Sequence, residues 1–227
     1  MQDLIFLNSA HFFENNCDVL AFKGTFASES GPHLRARPNA SPLALYRLRA
    51  DRQCLQDNES YPIGLNLSLP YHGGFEVAAG RSYRLQGTIG KLDDETTTVL
   101  EIEQDGDNQE IADTELVELG PVTITGIGAI ERATLLYSIP LELPVWELIV
   151  AHEGMRNSSA AVKVRYLLGV DSLDFLVDSR IFLTGELDSL GNKSGMMIVN
   201  VSQLFTIIIG VELTSSQVTG GMYFETF

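Results

Sequence analysis

The chain reads as an all-β protein made of two small five-stranded Greek-key barrels in tandem, and three observations predict it. The first is a pair of similar blocks, Arg81–Gln104 (RSYRLQGTIGKLDDETTTVLEIEQ) and Arg180–Gln203 (RIFLTGELDSLGNKSGMMIVNVSQ), set 99 residues apart. Each is a β-rich run with an in-strand glycine, Gly87 or Gly185, then a polar turn, then a second β-rich run. Glycine inside a strand is the device with which a small barrel turns a corner. The second is register: Gly24, Tyr46, Leu65 and Gly87 stand 22, 19 and 22 residues apart, and Gly126, Trp146, Arg165 and Gly185 stand 20, 19 and 20 apart. The third is size, since 227 residues with 44% hydrophobic and 20% charged side chains suit two modest cores and not a disordered chain. The expected division is a first barrel over residues 1–103, an acidic linker over 104–120 and a second barrel with a C-terminal β extension over 121–227.

The first half opens with a strand at Leu4–Leu7 and a polar turn at Glu14-Asn15-Asn16, followed by the strand Val19–Phe26 with Gly24 in its interior. Glycine, prolines and polar side chains make Ala27–Ser41 a long loop. From Pro42 to Ala50 the pattern alternates, placing Ala44, Tyr46 and Leu48 on one face and Leu45, Arg47 and Arg49 on the other. A loop over 51–60 leads to Tyr61–Leu69, where Ile63, Leu65, Leu67 and Leu69 alternate, and the glycine-rich stretch 70–80 leads to the first block.

Asp105-Gly106-Asp107-Asn108 breaks the last strand, and residues 104–120 hold six acidic side chains and no basic one. Glu110–Leu119 suits either a short helix or an extended connector. Beyond Pro121 the pattern restarts: Val122–Ala129 (VTITGIGA) matches Val19–Phe26, Val145–Ala151 matches Pro42–Ala50, Val162–Val170 matches Tyr61–Leu69, and Asp171–Ser179 replaces the glycine-rich connector.

Five strands with a glycine kink in the first, a long loop after it and a compact strand-turn-strand ending resemble the OB-fold, a small Greek-key barrel. The second half is similar to the barrel of the middle subunit of replication protein A and its telomeric relatives. PVTITGIGAIER, residues 121–132, resembles that family's first strand, and DSRIFLTGELDSLGNKSGMMIVNVSQL, residues 178–204, resembles its fourth and fifth strands. The likeness covers residues 121–205, and the first half joins it through the second. It implies a tandem OB-fold protein that binds single-stranded DNA or RNA, or a subunit of a complex that does. Phe205–Leu213 (FTIIIGVEL) departs from it, being β-branched where that family carries a helix.

Several chemistries are excluded by what the chain lacks. A net charge of −15 opposes indiscriminate binding of nucleic acid, which needs clustered Lys and Arg against phosphates. The two cysteines, Cys17 and Cys54, offer neither a disulfide framework nor a four-ligand zinc site, and His11, His33, His72 and His152 fall at no metal-ligand spacing. No metal and no cofactor is expected. Gly126-Ile127-Gly128 lacks the third glycine and the helix of a dinucleotide fingerprint. Asp93-Asp94-Glu95 and Asp105-Gly106-Asp107 lack the loop spacing of a calcium site and read as solvated turns. No nucleophile with its base, and no acid/base pair, can be assembled, so an enzyme is not expected.

The first residues show no basic segment followed by a long apolar one, and the apolar run Leu204–Val211 is too short to span a bilayer. The expectation is an intracellular protein of the cytoplasm or nucleus, without a membrane partner. Asn-x-Ser at Asn39, Asn58, Asn66, Asn157, Asn192 and Asn200 then reads as ordinary turn chemistry.

One stretch departs from the acidity. Residues 33–52 hold Arg35, Arg37, Arg47, Arg49 and Arg52 against Asp51 alone. In an OB barrel this is the loop after strand one and strand two itself, parts of the usual ligand face. Arg47 and Arg49, two apart on a strand, point the same way; Arg84 joins them from the fourth strand, and Lys163 and Arg165 repeat the pair in the second half. Such a groove tracks phosphates while rings stack on bases, each stack worth about 1–3 kcal/mol, with Tyr46, Phe75, Tyr166 and Phe182 as candidate rings. The nucleic-acid site is therefore expected at Arg35, Arg37, Tyr46, Arg47, Arg49, Arg84, Lys163 and Arg165. The competing reading of the same residues is core rings and arginines paired with carboxylates such as Glu101 or Glu103. At the level of function the competing reading is an assembly module, whose second barrel and C-terminal segment Leu204–Phe227 bind a protein partner or a second copy by strand addition.

Overall fold

The computed structural model describes residues 20–37, 40–53, 60–70, 75–92, 94, 96–102, 107–112, 119–137, 144–153, 160–169, 175, 177–191, 196–214 and 217–226. Every regular element among them is a strand. The strand expected at Leu4–Leu7, the turn at Glu14-Asn15-Asn16 and both cysteines lie outside the described residues.

The first barrel is built from β1 (Leu20–Ser28), β3 (Ala40–Gln53), β4 (Ser60–Pro70), β5 (Ser82–Lys91) and β6 (Thr98–Ile102). The ladder runs β1–β3–β4–β6–β5 and returns to β1, antiparallel throughout except for the parallel pair β4–β6. The second uses β8 (Thr123–Leu136), β9 (Val145–His152), β10 (Val162–Leu168), β11 (Arg180–Leu190) and β12 (Met197–Thr214). Its ladder runs β8–β9–β10–β12–β11 and returns to β8, with β10–β12 the parallel pair. Both circuits have the strand order of an OB-fold barrel. Full closure removes the sheet edges that an open five-stranded sheet would expose.

Alternation fills each barrel. Leu65, Leu67 and Leu69 of β4 point inward with Tyr46 and Leu48 of β3, and Val162, Val164, Tyr166 and Leu168 of β10 do the same with Leu148 and Val150 of β9. The two interiors form one continuous apolar cluster.

Two pairs of glycines explain why the halves share a register. A Cβ on Gly87 would overlap the Glu101 carbonyl oxygen, and one on Gly185 would overlap the Asn200 carbonyl oxygen, so each strand passes its neighbour at a distance only glycine allows. At Gly185 the β11–β12 register also shifts, the mark of a bulge. The second pair sits at the seam. β1 pairs antiparallel with β8, Phe22 opposite Ile124 and Leu20 opposite Gly126. Phe22 lies two residues before Gly24, and Ile124 two before Gly126, so equivalent positions face each other across a local two-fold axis. Gly24 then faces Val122, 3.2 Å from where its Cβ would stand, and Gly126 faces Leu20 at 2.9 Å. At the periphery Arg52 of β3 reaches Asp188 of β11 at 2.6 Å.

Four sequence expectations need revision. The stretch 27–41 is not all loop, because β2 (His33–Arg37) folds back on the first half of β3, His33 opposite Leu45 and Arg35 opposite Leu43. The other two matched positions slip. Ala27 faces Arg49 in the first barrel and Ala129 faces Ala151 in the second, so Tyr46 corresponds to Leu148 and not to Trp146. Likewise Asn66, opposite Arg47, corresponds to Arg165, opposite Ile149, and Leu65 corresponds to Val164. Asn66 and Asn200 lie within β4 and β12 and not in turns.

Within 104–120, β7 (Gln109–Glu110) pairs with β5, and the Ile111 N–H donates to the Ser82 carbonyl at 2.8 Å. β12 continues beyond the barrel and pairs with β13 (Gln217–Thr226) from Phe205–Thr226 to Thr214–Gln217. No helix among the described residues is long and apolar enough to cross a membrane.

Among the described residues, the second core contains a bonded pair of titratable rings, His152 and Tyr166. His152 is fully buried, with Nδ1 2.8 Å from the Ile127 carbonyl and Nε2 3.0 Å from the Tyr166 hydroxyl. A carbonyl only accepts, so Nδ1 carries the proton and Nε2 accepts from the Tyr166 O–H. Gly128 makes room for the ring, since a Cβ there would stand 2.9 Å from Nδ1. Burial holds the His152 pKa down at about 4 and pushes the Tyr166 phenol up.

Two predictions follow from these packings. Gly87→Ala and Gly185→Ala each place a methyl against backbone and should cost about 3 kcal/mol, read from denaturant midpoints, whereas Gly31→Ala, with open space around it, should stay within about 0.5 kcal/mol. Because the folded state keeps His152 neutral, its contribution is complete above the unfolded pKa near 6.5 and is lost as pH falls through the window down to about 4. His152→Gln should therefore shrink the loss of stability between pH 7 and pH 4 by on the order of 3 kcal/mol, and an unchanged acid slope would sink the assignment.

Candidate nucleic-acid interface

The outer wall formed by β3 and β4 carries the strongest candidate. The alternation that turns Tyr46 and Leu48 inward turns Arg47 and Arg49 outward, and the hairpin register sets Asn66 opposite Arg47 and Gly64 opposite Arg49. Arg47 lies across β4: its Nη1 donates to Asn66 Oδ1 at 3.2 Å, and its guanidinium fills the space a side chain at residue 64 would occupy. Gly64 is thus the groove in which Arg47 rests. The Arg47 Nε stands 4.0 Å from Glu29 Oε2 and the Arg49 Nε 3.7 Å from Asp51 Oδ1. Both guanidiniums are nearly half accessible, and exposed pairs of this kind contribute about 0–1 kcal/mol. Either arginine can exchange its carboxylate for a phosphate at little cost.

Arg35 and Arg37 sit farther along the same hairpin. Arg35 faces Leu43, four residues or roughly 13 Å of strand from Arg47. Its Nη1 meets Asp94 Oδ2 at 3.2 Å, tying the β2–β3 hairpin to the β5–β6 turn. Asp94 also accepts from the Thr97 N–H at 2.8 Å, the Thr96 N–H at 2.9 Å and the Thr97 hydroxyl at 2.8 Å. These bonds, the Thr97 amide foremost, hold its carboxyl well below the usual range. Burial pushes the Glu101 carboxyl up, and the nearby Arg37 cation works against that shift.

Other expected members are placed elsewhere. Tyr46 is 7% exposed and belongs to the core, as do Tyr166 and Phe182, and half-buried Phe75 packs edge-on against Tyr83 with centroids 5.9 Å apart. Facing inward, Tyr46 presents no surface to a base. Arg84 lies on β5, where it faces Thr25 of β1, so β1 separates it from the β3–β4 wall. Arg52 is held between the Tyr61 ring, 5.1 Å from its centroid, and Asp188 of the other barrel. Among the described residues, the aromatic side chains most exposed to solvent are Tyr61, 37% exposed, and Tyr137, 81% exposed. Sequence reasoning missed both because each stands at a strand end, where alternation no longer says which side is covered.

The second barrel repeats the wall with its charges moved. Ile149 and Ala151 stand where β3 has Arg47 and Arg49, and Lys163 and Arg165 stand where β4 has Gly64 and Asn66. Lys163 Nζ meets Glu131 Oε2 at 2.8 Å. Arg165 and Arg132 converge on Glu147, Arg132 at 3.0 Å, and the Glu147 side chain is only 9% exposed. Among the described residues, no three His, Cys, Asp or Glu side chains gather as a metal site would require.

No protein-family model matches the chain, and no curated protein matches it. Among solved structures it is similar to the crystal structure of the wild-type single-stranded DNA binding protein from Thermus aquaticus, with a TM-score of 0.59 and 12% identity over 87% of this chain and 96% of that one. A deletion mutant of the same protein gives a TM-score of 0.59 and 12% identity over 89% of this chain and 98% of the other. At such identity the likeness is one of fold: this all-β chain has the OB-fold barrel architecture found in those single-stranded DNA binding proteins.

Proposed function

We propose that this chain is a non-enzymatic protein that binds single-stranded nucleic acid, DNA or RNA, inside the cell, on the β3–β4 wall of its first barrel. The observation that carries the reading is the placement of Arg47 and Arg49, two residues apart, on the outer face of β3, each nearly half exposed and in a long, weak pair. Arg35 and Arg37 extend the cationic strip along the hairpin, in the part of an OB barrel where oligonucleotides are usually bound. The fold-level likeness to single-stranded DNA binding proteins supports the same class. An overall charge of −15 restricts binding to this strip and disfavours duplexes, which need a broad basic surface.

A second reading, assembly with a protein partner or a second copy, draws on the hairpin β12–β13, which leaves the barrel after the last β11 pair at Thr206. Its outer strand offers a backbone edge of the kind that accepts another strand.

The experiments separate the two. A labelled oligonucleotide should bind at micromolar protein in low salt, and Arg47→Glu with Arg49→Glu should weaken it at least about tenfold and flatten the log–log salt slope by about 0.7 per lost contact; absence of binding by the unaltered chain would end the first reading. For the second, light scattering on the full chain and on a version ending after Thr206 should show a larger particle only for the full chain, and equal masses would end it.

A further inference from the structure

The two barrels present the same wall with cations held in different ways. On the first, Arg47 and Arg49 are half exposed and stand 4.0 and 3.7 Å from Glu29, itself nearly half exposed, and Asp51, at 22% exposed less covered than Glu147 at 9%. On the second, Glu147 is buried on the outer face of β9 and receives both Arg132 and Arg165. A carboxylate taking two guanidiniums at once occupies the place and supplies the charge that a phosphate would. Withdrawing either arginine toward a ligand would leave a buried anion short of a partner, which is far costlier than opening an exposed pair. Lys163 makes an exposed pair with Glu131, but at 2.8 Å a closer one than Arg47 or Arg49 makes, and apolar Ile149 and Ala151 stand where the first barrel has its arginines.

We infer that Glu147 keeps the β9–β10 wall closed to nucleic acid, so that the footprint is one-sided and centred on the first barrel. The inference rests on the nucleic-acid reading above. It assigns the second barrel's cations to internal pairing and makes Glu147 the residue that sets the difference.

The test is a salt series of titrations with labelled oligothymidylate of about thirty nucleotides, using the full chain and three variants whose folding is checked by circular dichroism. Arg47→Gln with Arg49→Gln should weaken binding about tenfold, Lys163→Gln should change it less than about twofold, and Glu147→Gln should tighten it about threefold while steepening the salt slope by about 0.7 for each cation released. A loss from Lys163→Gln as large as that from the arginine pair overturns the inference, as does a folded Glu147→Gln protein that binds no more tightly. Should Glu147→Gln not fold, the Lys163→Gln comparison decides alone. Failure of the wider reading looks different: the unaltered chain then shows no binding at any salt.

Discussion

The pairing of β1 with β8 is the constraint around which the molecule is arranged. These are the first strands of their barrels, and along one edge each divides its length between its sister strand and the second strand of its own barrel. Leu20–Lys23 ladders onto β8, whereas Ala27 and Ser28 ladder onto β3, and β8 makes the same switch from β1 to β9. Phe22 stands opposite Ile124 at the axis, so the seam relates equivalent positions of the two barrels. Gly24 and Gly126 let Val122 and Leu20 approach from the opposite barrel, and both of those side chains are buried. A backbone ladder backed by a continuous core makes a stiff joint, unlike the small polar interfaces through which tandem domains usually move.

Much of this was legible in the chain because glycine carries backbone information that composition does not. Gly24 and Gly126, and Gly87 and Gly185, are matched in the sequence and matched in space, each for a steric reason that a side chain would violate. Residues between them were harder to place. Spacing along the chain matches Tyr46 to Trp146, whereas it lies in register with Leu148, because a two-residue slip keeps the same face and alternation cannot detect it. Spacing likewise matches Leu65 to Arg165, one residue from its true counterpart Val164, a slip that exchanges inside for outside. The strand His33–Arg37 was hidden by the prolines and polar residues around it, and it exists because β3 extends far enough to give it a partner.

The candidate site was legible by face and not by partner. Alternation alone put Arg47 and Arg49 outward, and the same alternation, followed consistently, puts the Tyr46 ring inside. Arg49 finds Asp51 on its own strand, but the carboxylates beside Arg47 and Arg52 come from other parts of the chain. Glu29 reaches Arg47 across the β1–β2 bend, and Arg52 finds Asp188 in the other half. A count of charges treats Arg47 and Arg165 alike, whereas burial of the acid separates an exchangeable pair from a locked one. Gly64 illustrates the same limit, since nothing in its neighbours along the chain announces that a guanidinium will lie on it.

The local two-fold axis has a further consequence. An object with perfect dyad symmetry looks identical to a filament threaded from either end, so it has no means of telling head from tail. Joining the halves in one polypeptide lets them mutate separately, and the unlike walls of this chain break that equivalence. A ligand with a chemical direction would meet one sense of travel before the other.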